Sequence, residues 1–392
     1  MPGIGKRKLE AFRSMIPSIR MVDLQNQYLR IKEEIDHAIQ GVLNSTAFIQ
    51  GAPVKEFAQA LSKHNQNVKV VPCANGTDAL QIAMMALNFK AGDEIILPVH
   101  TYVATAEVMA LLGLHPIFVD VDDKTFNVDV HQIESKITSR TVAIVPVHLY
   151  GQCADMEPIL KIAKRNNLVV IEDAAQALGA EYKLLNGEVK KAGTMGLIGT
   201  TSFFPSKNLG CYGDGGAIFT HNDQLEERMQ MIANHGQRVK YHHDIIGINS
   251  RLDTLQAAIL LVKLNYLQDY TKRRNEAATY YDAHLKDCHF VEIPFRSPNS
   301  THVFHQYTLK VKSIDRDHFK KYLETKGIPS MIYYPVPLHL QMAYRTPGME
   351  EGSFPITEQL SKTVISLPIH TEMTEEELGY ICDQIKAYSQ HA

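Results

Sequence analysis

Apolar residues recur along this chain in two rhythms. Between Ile19 and Leu43 they fall at Leu29, Ile31, Ile35, Ile39 and Leu43 among charged neighbours, and VKEFAQALSKH (Val54–His64) repeats that helical spacing. Short continuous apolar runs follow, at Val68–Cys73, Glu94–Leu97, His115–Asp120, Val142–Leu149 and Leu168–Asp173, and each predicts a buried strand. Between them, ALQIAMMAL, the stretch from about Tyr102 to Leu112 and MEPILKIAKRNN predict helices. This alternation implies an α/β architecture, a mainly parallel sheet with helices on both faces. Ligands of such sheets bind outside the carboxyl ends of the strands.

The texture changes after Arg251. Leu252–Leu285 reads as one long helix or two broken ones, His305–Val311 as a strand, and Arg316–Lys326 and Thr374–Ser389 as helices. This pattern predicts a smaller C-terminal α+β domain. The expected division is a tail over residues 1–18, a large domain over 19–265 and a small domain over 266–392. No internal repeat or low-complexity linker interrupts the chain.

Composition narrows the classes. A chain of 392 residues with 45% hydrophobic content can bury a large core. The formal net charge of −3 offers no basic excess for nucleic acid. No apolar run approaches the ~18 residues of a membrane span, and the basic N-terminal stretch lacks a signal-peptide core. The five cysteines include no CxxC pair, so neither a zinc site nor a disulfide framework is indicated, and a reducing cytoplasm fits. Gly3-Ile4-Gly5-Lys6 resembles the end of a phosphate loop, but Arg7 follows and no strand precedes it. A loose terminal tail is the expectation there.

Four features carry candidate chemistry. Asn75-Gly76-Thr77-Asp78 joins a strand to a helix, where free N–H groups suit a phosphate; an ordinary cap by Thr77 or Asp78 is the competing reading. Asp173 ends an apolar strand at the ligand edge, where a protonated ring nitrogen would be a suitable partner; a cap for the segment AAQALGA is equally compatible. Lys207 sits between Phe203-Phe204 and Gly210, Gly213, Gly215 and Gly216. Partial burial there would lower its pKa and allow a Schiff base, whereas a lone loop lysine is otherwise solvated. Ser202 and Ser206 offer hydroxyls to a phosphate, and the Tyr102 ring could stack on a flat cofactor or simply pack. A phosphate-binding helix start, a strand-end Asp and a downstream Lys are together the parts that a pyridoxal phosphate enzyme needs.

The segments NGTDAL, HTYVATAE, VHLYGQCADM, IEDAAQALGA, SFFPSKNLGCYGDGGAI, NHGQ, INSRLDTLQAAIL, YYPVPLHLQ and SLPIH together resemble the DegT/DnrJ/StrS family of nucleotide-sugar aminotransferases, from about Ile19 to the C-terminus. Within it, CANGTDALQIAMMAL and FFPSKNLGCYGDGGAIFT look most like enzymes that aminate UDP-2-acetamido-2-deoxy-3-oxo-glucuronic acid for surface polysaccharide. The resemblance implies pyridoxal 5'-phosphate on fold type I and a homodimer with shared active sites. It implies Lys207 as Schiff-base lysine and general base, Asp173 at the pyridinium nitrogen, Gln176 against the ring oxygen and Tyr102 stacked on the ring. Gly76, Thr77 and Ser202 would hold the phosphate, joined by Asn249 from the other subunit. Arg251 would meet an anionic part of the sugar nucleotide, with Tyr333 and Tyr334 near the sugar. Many relatives carry His-Tyr-Pro where this chain has Tyr333-Tyr334-Pro335, which loosens the sugar assignment. Arg238, Lys240, His242 and His243 form a basic loop that suits a diphosphate or plain solvent.

The implied reaction moves the amino group of L-glutamate to C3 of the UDP-linked keto sugar. A 4-keto-6-deoxy sugar substrate and a cofactor-binding sensor without turnover are the alternatives. A family dehydratase is disfavoured because Lys207 is present, and a nicotinamide dehydrogenase because no GxGxxG opens a first βα turn. The glycines after Lys207 are expected to let the backbone pass close to the cofactor.

Overall fold

The computed structural model describes residues 19–388. The Gly3–Lys6 stretch, the expected tail and Ser389 lie outside the described residues. The central sheet is built from β1 (Lys69–Cys73), β2 (Glu94–Pro98), β3 (His115–Val119), β4 (Thr141–Ile144) and β5 (Val169–Asp173). A separate hairpin, β6 (Glu181–Lys183) with β7 (Val189–Lys191), precedes the last two sheet strands, β8 (Ile198–Ser202) and β9 (Gly216–Thr220). The order across the sheet is β1-β9-β8-β5-β4-β2-β3. β9 runs antiparallel to both neighbours, and the remaining pairs are parallel.

Composition explains why this sheet is central. β2 and β9 are buried at every position, as strands covered on both faces must be. The helix Met156–Arg165 buries Met156, Ile159, Ile162 and Ala163, one stripe of its surface, and turns its charges outward. The helix Gly76–Ala86 is apolar almost all round because it packs under β8 and β9. Its N-cap is Asn75, whose side chain accepts from Asp78 N at 2.8 Å. The cap reading at this loop is therefore correct in kind but falls one residue before the glycine, rather than on Thr77 or Asp78.

Elsewhere the boundaries move for local reasons. The first expected helix breaks at Ile31, giving Leu24–Arg30 and Lys32–Ser45. The expected strand Val142–Leu149 keeps its ladder only over Thr141–Ile144, and Leu149–Gly151 forms a tight turn with Tyr150 at φ 58. The Leu252–Leu285 pattern resolves into two helices, Thr254–Leu264 and Leu267–Leu285. The second packs at Leu267 against an apolar cluster that includes Phe57, Phe203 and Leu260, and enters a second core from Ala277 onward. That second core surrounds an antiparallel sheet, whose strands Val291–Glu292, Tyr307–Val311 and Val364–Leu367 pack against the helices Arg316–Thr325 and Glu375–Tyr388. Among the described residues, no helix is long and apolar enough to cross a membrane.

Candidate active site

Parallel strands open their carboxyl ends on one edge, and the register decides which residues meet there. Cys73 of β1, Gly216 of β9 and Ser202 of β8 form one row across three strands. The helix start that follows Cys73 therefore lies beside Ser202. A Cβ built on Gly76 would stand 2.7 Å from Ser202 Cβ, closer than real Cβ contacts come. Gly76 is thus required for this approach, and the first-turn N–H groups of Gly76 and Thr77 have no helical acceptors. The result is a narrow polar cradle of two amides and one hydroxyl at a helix N-terminus, a geometry suited to an anion.

Asp173 ends β5 and is buried. Its Oδ2 accepts from Thr105 Oγ1 at 2.9 Å and its Oδ1 from Ala175 N at 3.1 Å. The backbone is held on both sides, with Asp173 N donating to Pro146 O and His148 N donating to Asp173 O, each at 2.9 Å. The residue after next donates this turn bond, but residues 174–179 form turns and no helix, so the capping alternative survives only as an Asp-turn. Behind Asp173, Glu172 is fully buried and accepts from Gly193 N at 2.9 Å, Met195 N at 2.6 Å and Gly196 N at 2.5 Å. His148 Nδ1 accepts from Ala154 N, so its Nε2 carries the hydrogen that points to Glu172 at 2.8 Å. This second carboxylate faces away from the site and is fully engaged.

Lys207 lies in the loop between β8 and β9, half-buried. Burial lowers its pKa from 10.5 to about 8, and the negative charge of Asp173 works against that fall. The amine is therefore far closer to its nucleophilic form than a surface lysine. The neighbouring Asn208 Nδ2 donates to Val303 O at 2.8 Å and ties this loop to the segment 303–306. Burial, and then the charge of Lys207, hold His305 in that segment well below the ordinary histidine range. Asn208 Oδ1 and His305 Nδ1 are both buried without a hydrogen-bond partner among the described residues. Orphaned buried polar atoms are rare in finished cores, and these two belong to the residue after Lys207 and to a histidine that feels its charge.

The other candidates fall into two groups. Gln176 is fixed at both ends, its Oε1 accepting from Tyr150 N at 2.8 Å and its Nε2 donating to Tyr334 OH at 3.1 Å. Tyr102 is 57% exposed with its ring 6.2 Å from that of Tyr334. Tyr333 O accepts from Tyr150 OH, and burial raises the pKa of both Tyr333 and Tyr334. These residues gather on the edge that holds Asp173, whereas Asn249 and Arg251 do not. Asn249 is exposed beside Ser250, whose Oγ accepts from Ala74 N at 3.1 Å. Arg251 donates to Asn234 Oδ1 at 3.3 Å and lines a cavity of ≈ 850 Å³ along the free edge of β1. That cavity contains neither Lys207 nor Asp173. Arg238 pairs with Glu227 at 2.9 Å, and Lys240, His242 and His243 are exposed on a hairpin.

The structure also shows residues that spacing did not single out, namely Thr105, Asn208 and His305. Thr105 lies inside HTYVATAE, but one hydroxyl among several threonines carries no local signal. Among the glycines after Lys207, Gly213 and Gly215 lie against side chains, whereas Gly210 and Gly216 lie against other backbone. A Cβ on Gly216 would stand 2.4 Å from Asn75 O, and one on Gly210 would stand 2.3 Å from Pro205 O. Their freedom is used for backbone against backbone.

The described residues fit pyridoxal phosphate: an anion cradle that a Cβ would fill, a buried oriented carboxylate, and a lysine of lowered pKa that feels that carboxylate's charge. The comparisons with known proteins agree. The DegT/DnrJ/EryC1/StrS aminotransferase family model matches residues 29–386. A pleiotropic regulatory protein of Geobacillus stearothermophilus is 44% identical, covering 95% of this chain and 99% of its own. The UDP-2-acetamido-2-deoxy-3-oxo-D-glucuronate aminotransferase of Pseudomonas aeruginosa is 45% identical, over 93% of this chain and 98% of its own. A dTDP-3-amino-3,6-dideoxy-alpha-D-galactopyranose transaminase of Aneurinibacillus thermoaerophilus is 42% identical over 95% and 99%. Among solved structures, Streptomyces venezuelae DesV in complex with a ketimine intermediate gives a TM-score of 0.91 at 35% identity, covering 95% of this chain and 99% of that one. Bacillus subtilis NtdA with bound cofactor PMP gives 0.83 at 32%, over 95% and 84%.

Proposed function

We propose a reaction for this chain from one premise: it belongs to the DegT/DnrJ/EryC1/StrS aminotransferase family and is a pyridoxal-phosphate-dependent sugar aminotransferase. The reaction is transfer of the amino group of L-glutamate to C3 of UDP-2-acetamido-2-deoxy-3-oxo-D-glucuronic acid, in the cytoplasm, for surface polysaccharide. The observation that carries the chemistry is Lys207, with its amine brought to about 8 by burial beside the oriented carboxylate of Asp173. The sugar rests on similarity to the Pseudomonas aeruginosa enzyme.

Bound pyridoxal phosphate supplies an electron sink for a carbanion. The residues of this chain do the rest. The amides of Gly76 and Thr77 and the hydroxyl of Ser202 would hold the phosphate, with Asn249 of the partner subunit completing the cradle in a homodimer. Asp173 would keep the ring nitrogen protonated, Gln176 would face the ring oxygen, and Tyr102 would cover one ring face. Lys207 Nζ would anchor the cofactor and, as a free amine, would take the proton from the glutamate Cα and in the second half-reaction give one to the sugar carbon. Its lowered pKa suits both directions near neutral pH. Tyr333 and Tyr334 would lie near the sugar, and Arg251 would meet an anionic part of the sugar nucleotide.

A second reading is a sugar-nucleotide sensor without turnover; one relative, that of Geobacillus stearothermophilus, carries the name of a regulatory protein. Incubation with L-glutamate and panels of 3-keto and 4-keto sugar nucleotides, read by mass spectrometry, separates the readings. The proposal expects 2-oxoglutarate and a 3-amino UDP-sugar, and expects both to vanish in Lys207→Ala together with the visible absorbance of the bound cofactor. Turnover at the wild-type rate in Lys207→Ala would end it, and cofactor binding with no glutamate reaction would establish the sensor.

A further inference from the structure

Asp173 does not orient itself. The helix Ala104–Leu111 begins two residues after Tyr102, and its second residue, Thr105, is buried and aimed at the carboxylate. Thr105 Oγ1 lies 2.9 Å from Asp173 Oδ2 and 3.5 Å from Thr101 Oγ1, itself buried. A hydroxyl has one hydrogen. With Asp173 able only to accept when ionised, that hydrogen goes to the carboxylate, and Thr105 can take one from Thr101. The short loop 100–105 thus delivers the proposed ring-stacking Tyr102 and a donor for the carboxylate from one piece of backbone.

We propose that Thr105 is a positioning residue for pyridoxal phosphate: its hydroxyl sets the rotation of the Asp173 carboxylate, so that one oxygen is presented squarely to the cofactor's ring nitrogen. The inference rests on the assignment of Asp173 to that nitrogen. The physical argument is geometric. Ala175 N fixes Oδ1 from the backbone, but a single contact leaves the carboxylate free to turn about its last bond. The Thr105 bond at the other oxygen removes that freedom, and a hydrogen bond to a charged group is among the stronger ones available. Lys207 and Tyr334 are the titratable groups that sense Asp173 electrostatically, and both remain in place in the test.

The test uses the full chain loaded with pyridoxal phosphate and three variants: Thr105→Val, which keeps shape and removes the hydroxyl, Thr105→Ser, which restores it, and Asp173→Asn. Two quantities are read, the dissociation constant for pyridoxal phosphate and the pH midpoint of the bound cofactor's visible band. Thr105→Val is expected to weaken binding about tenfold, the effect of one lost charge-assisted hydrogen bond. It is also expected to move the midpoint in the same direction as Asp173→Asn, by less. Thr105→Ser is expected to restore both. A Thr105→Val midpoint equal to wild type, or shifted opposite to Asp173→Asn, overturns the role of Thr105 while leaving Asp173 in place. A midpoint unmoved in Asp173→Asn overturns both assignments. Should Thr105→Val fail to fold, Thr105→Ala is read in its place against the same Thr105→Ser rescue.

Discussion

Lys207→Met replaces a buried amine with an uncharged chain of similar length, and the size of its effect on stability depends on pH. In the folded chain without cofactor, burial brings the lysine from 10.5 to about 8. That difference corresponds to about 3 kcal/mol of destabilisation of the ammonium form. Below pH 8 both folded and unfolded chains carry the charge, so the folded state bears this full cost. Between pH 8 and 10.5 the folded chain is neutral while the unfolded one still binds a proton, so stability rises with pH. Above 10.5 the cost is gone. Cofactor-free Lys207→Met should therefore be more stable than wild type at pH 7, by at most about 3 kcal/mol, since Asp173 loses its cation and offsets part of the gain. Urea midpoints of both proteins at pH 7, 8, 9 and 10 measure the difference. It should narrow steadily above pH 8. A difference that stays constant across that range, or a wild type that is the more stable at pH 7, would refute the burial argument and with it the activated amine.

Three further outcomes are expected. Gly76→Ala puts a methyl 2.7 Å from Ser202 Cβ, so overpacking of ~1–3 kcal/mol should appear as weaker pyridoxal phosphate binding in an absorbance titration, and Ser202→Gly on the same chain should relieve the strain without restoring full affinity. Glu172→Gln leaves buried amides and His148 facing a donor, and should lower unfolding stability by roughly 3 kcal/mol in chemical denaturation. Asn249→Ala alters an exposed side chain and should leave folding intact but reduce cofactor affinity. Mixed and refolded with Lys207→Ala, it should recover about a quarter of wild-type turnover, because a two-fold dimer with shared sites regains one complete site in each hybrid. Absence of recovery would show that Asn249 serves its own chain.

Much of this was legible before any coordinates. The apolar runs at Val68–Cys73, Glu94–Leu97 and Leu168–Asp173 each became a sheet strand, because a strand buried on both faces has no other composition to choose. The end of β5 located Asp173 at the ligand edge for the same reason. Boundaries were less legible where a single backbone torsion decides. Ile31 breaks a helix whose hydrophobic period continues through it, and Tyr150 turns the chain at φ 58 inside an apolar run that reads as strand. Neither torsion leaves a mark in the spacing of apolar residues.

The order of elements, the parallel sense of most of the sheet and the residue types of the site follow from the sequence, since burial and periodicity are properties of consecutive residues. Proximity does not follow from it. That Cys73, Gly216 and Ser202 share one row, that Thr105 reaches Asp173, and that Asn208 ties the Lys207 loop to the segment bearing His305 depend on strand register and on contacts between distant parts of the chain. Lys207 reads in the sequence as a lysine in a glycine-rich loop. Only the tertiary structure buries its amine and brings the charge of Asp173 to bear on it, and that desolvation lowers its pKa to about 8.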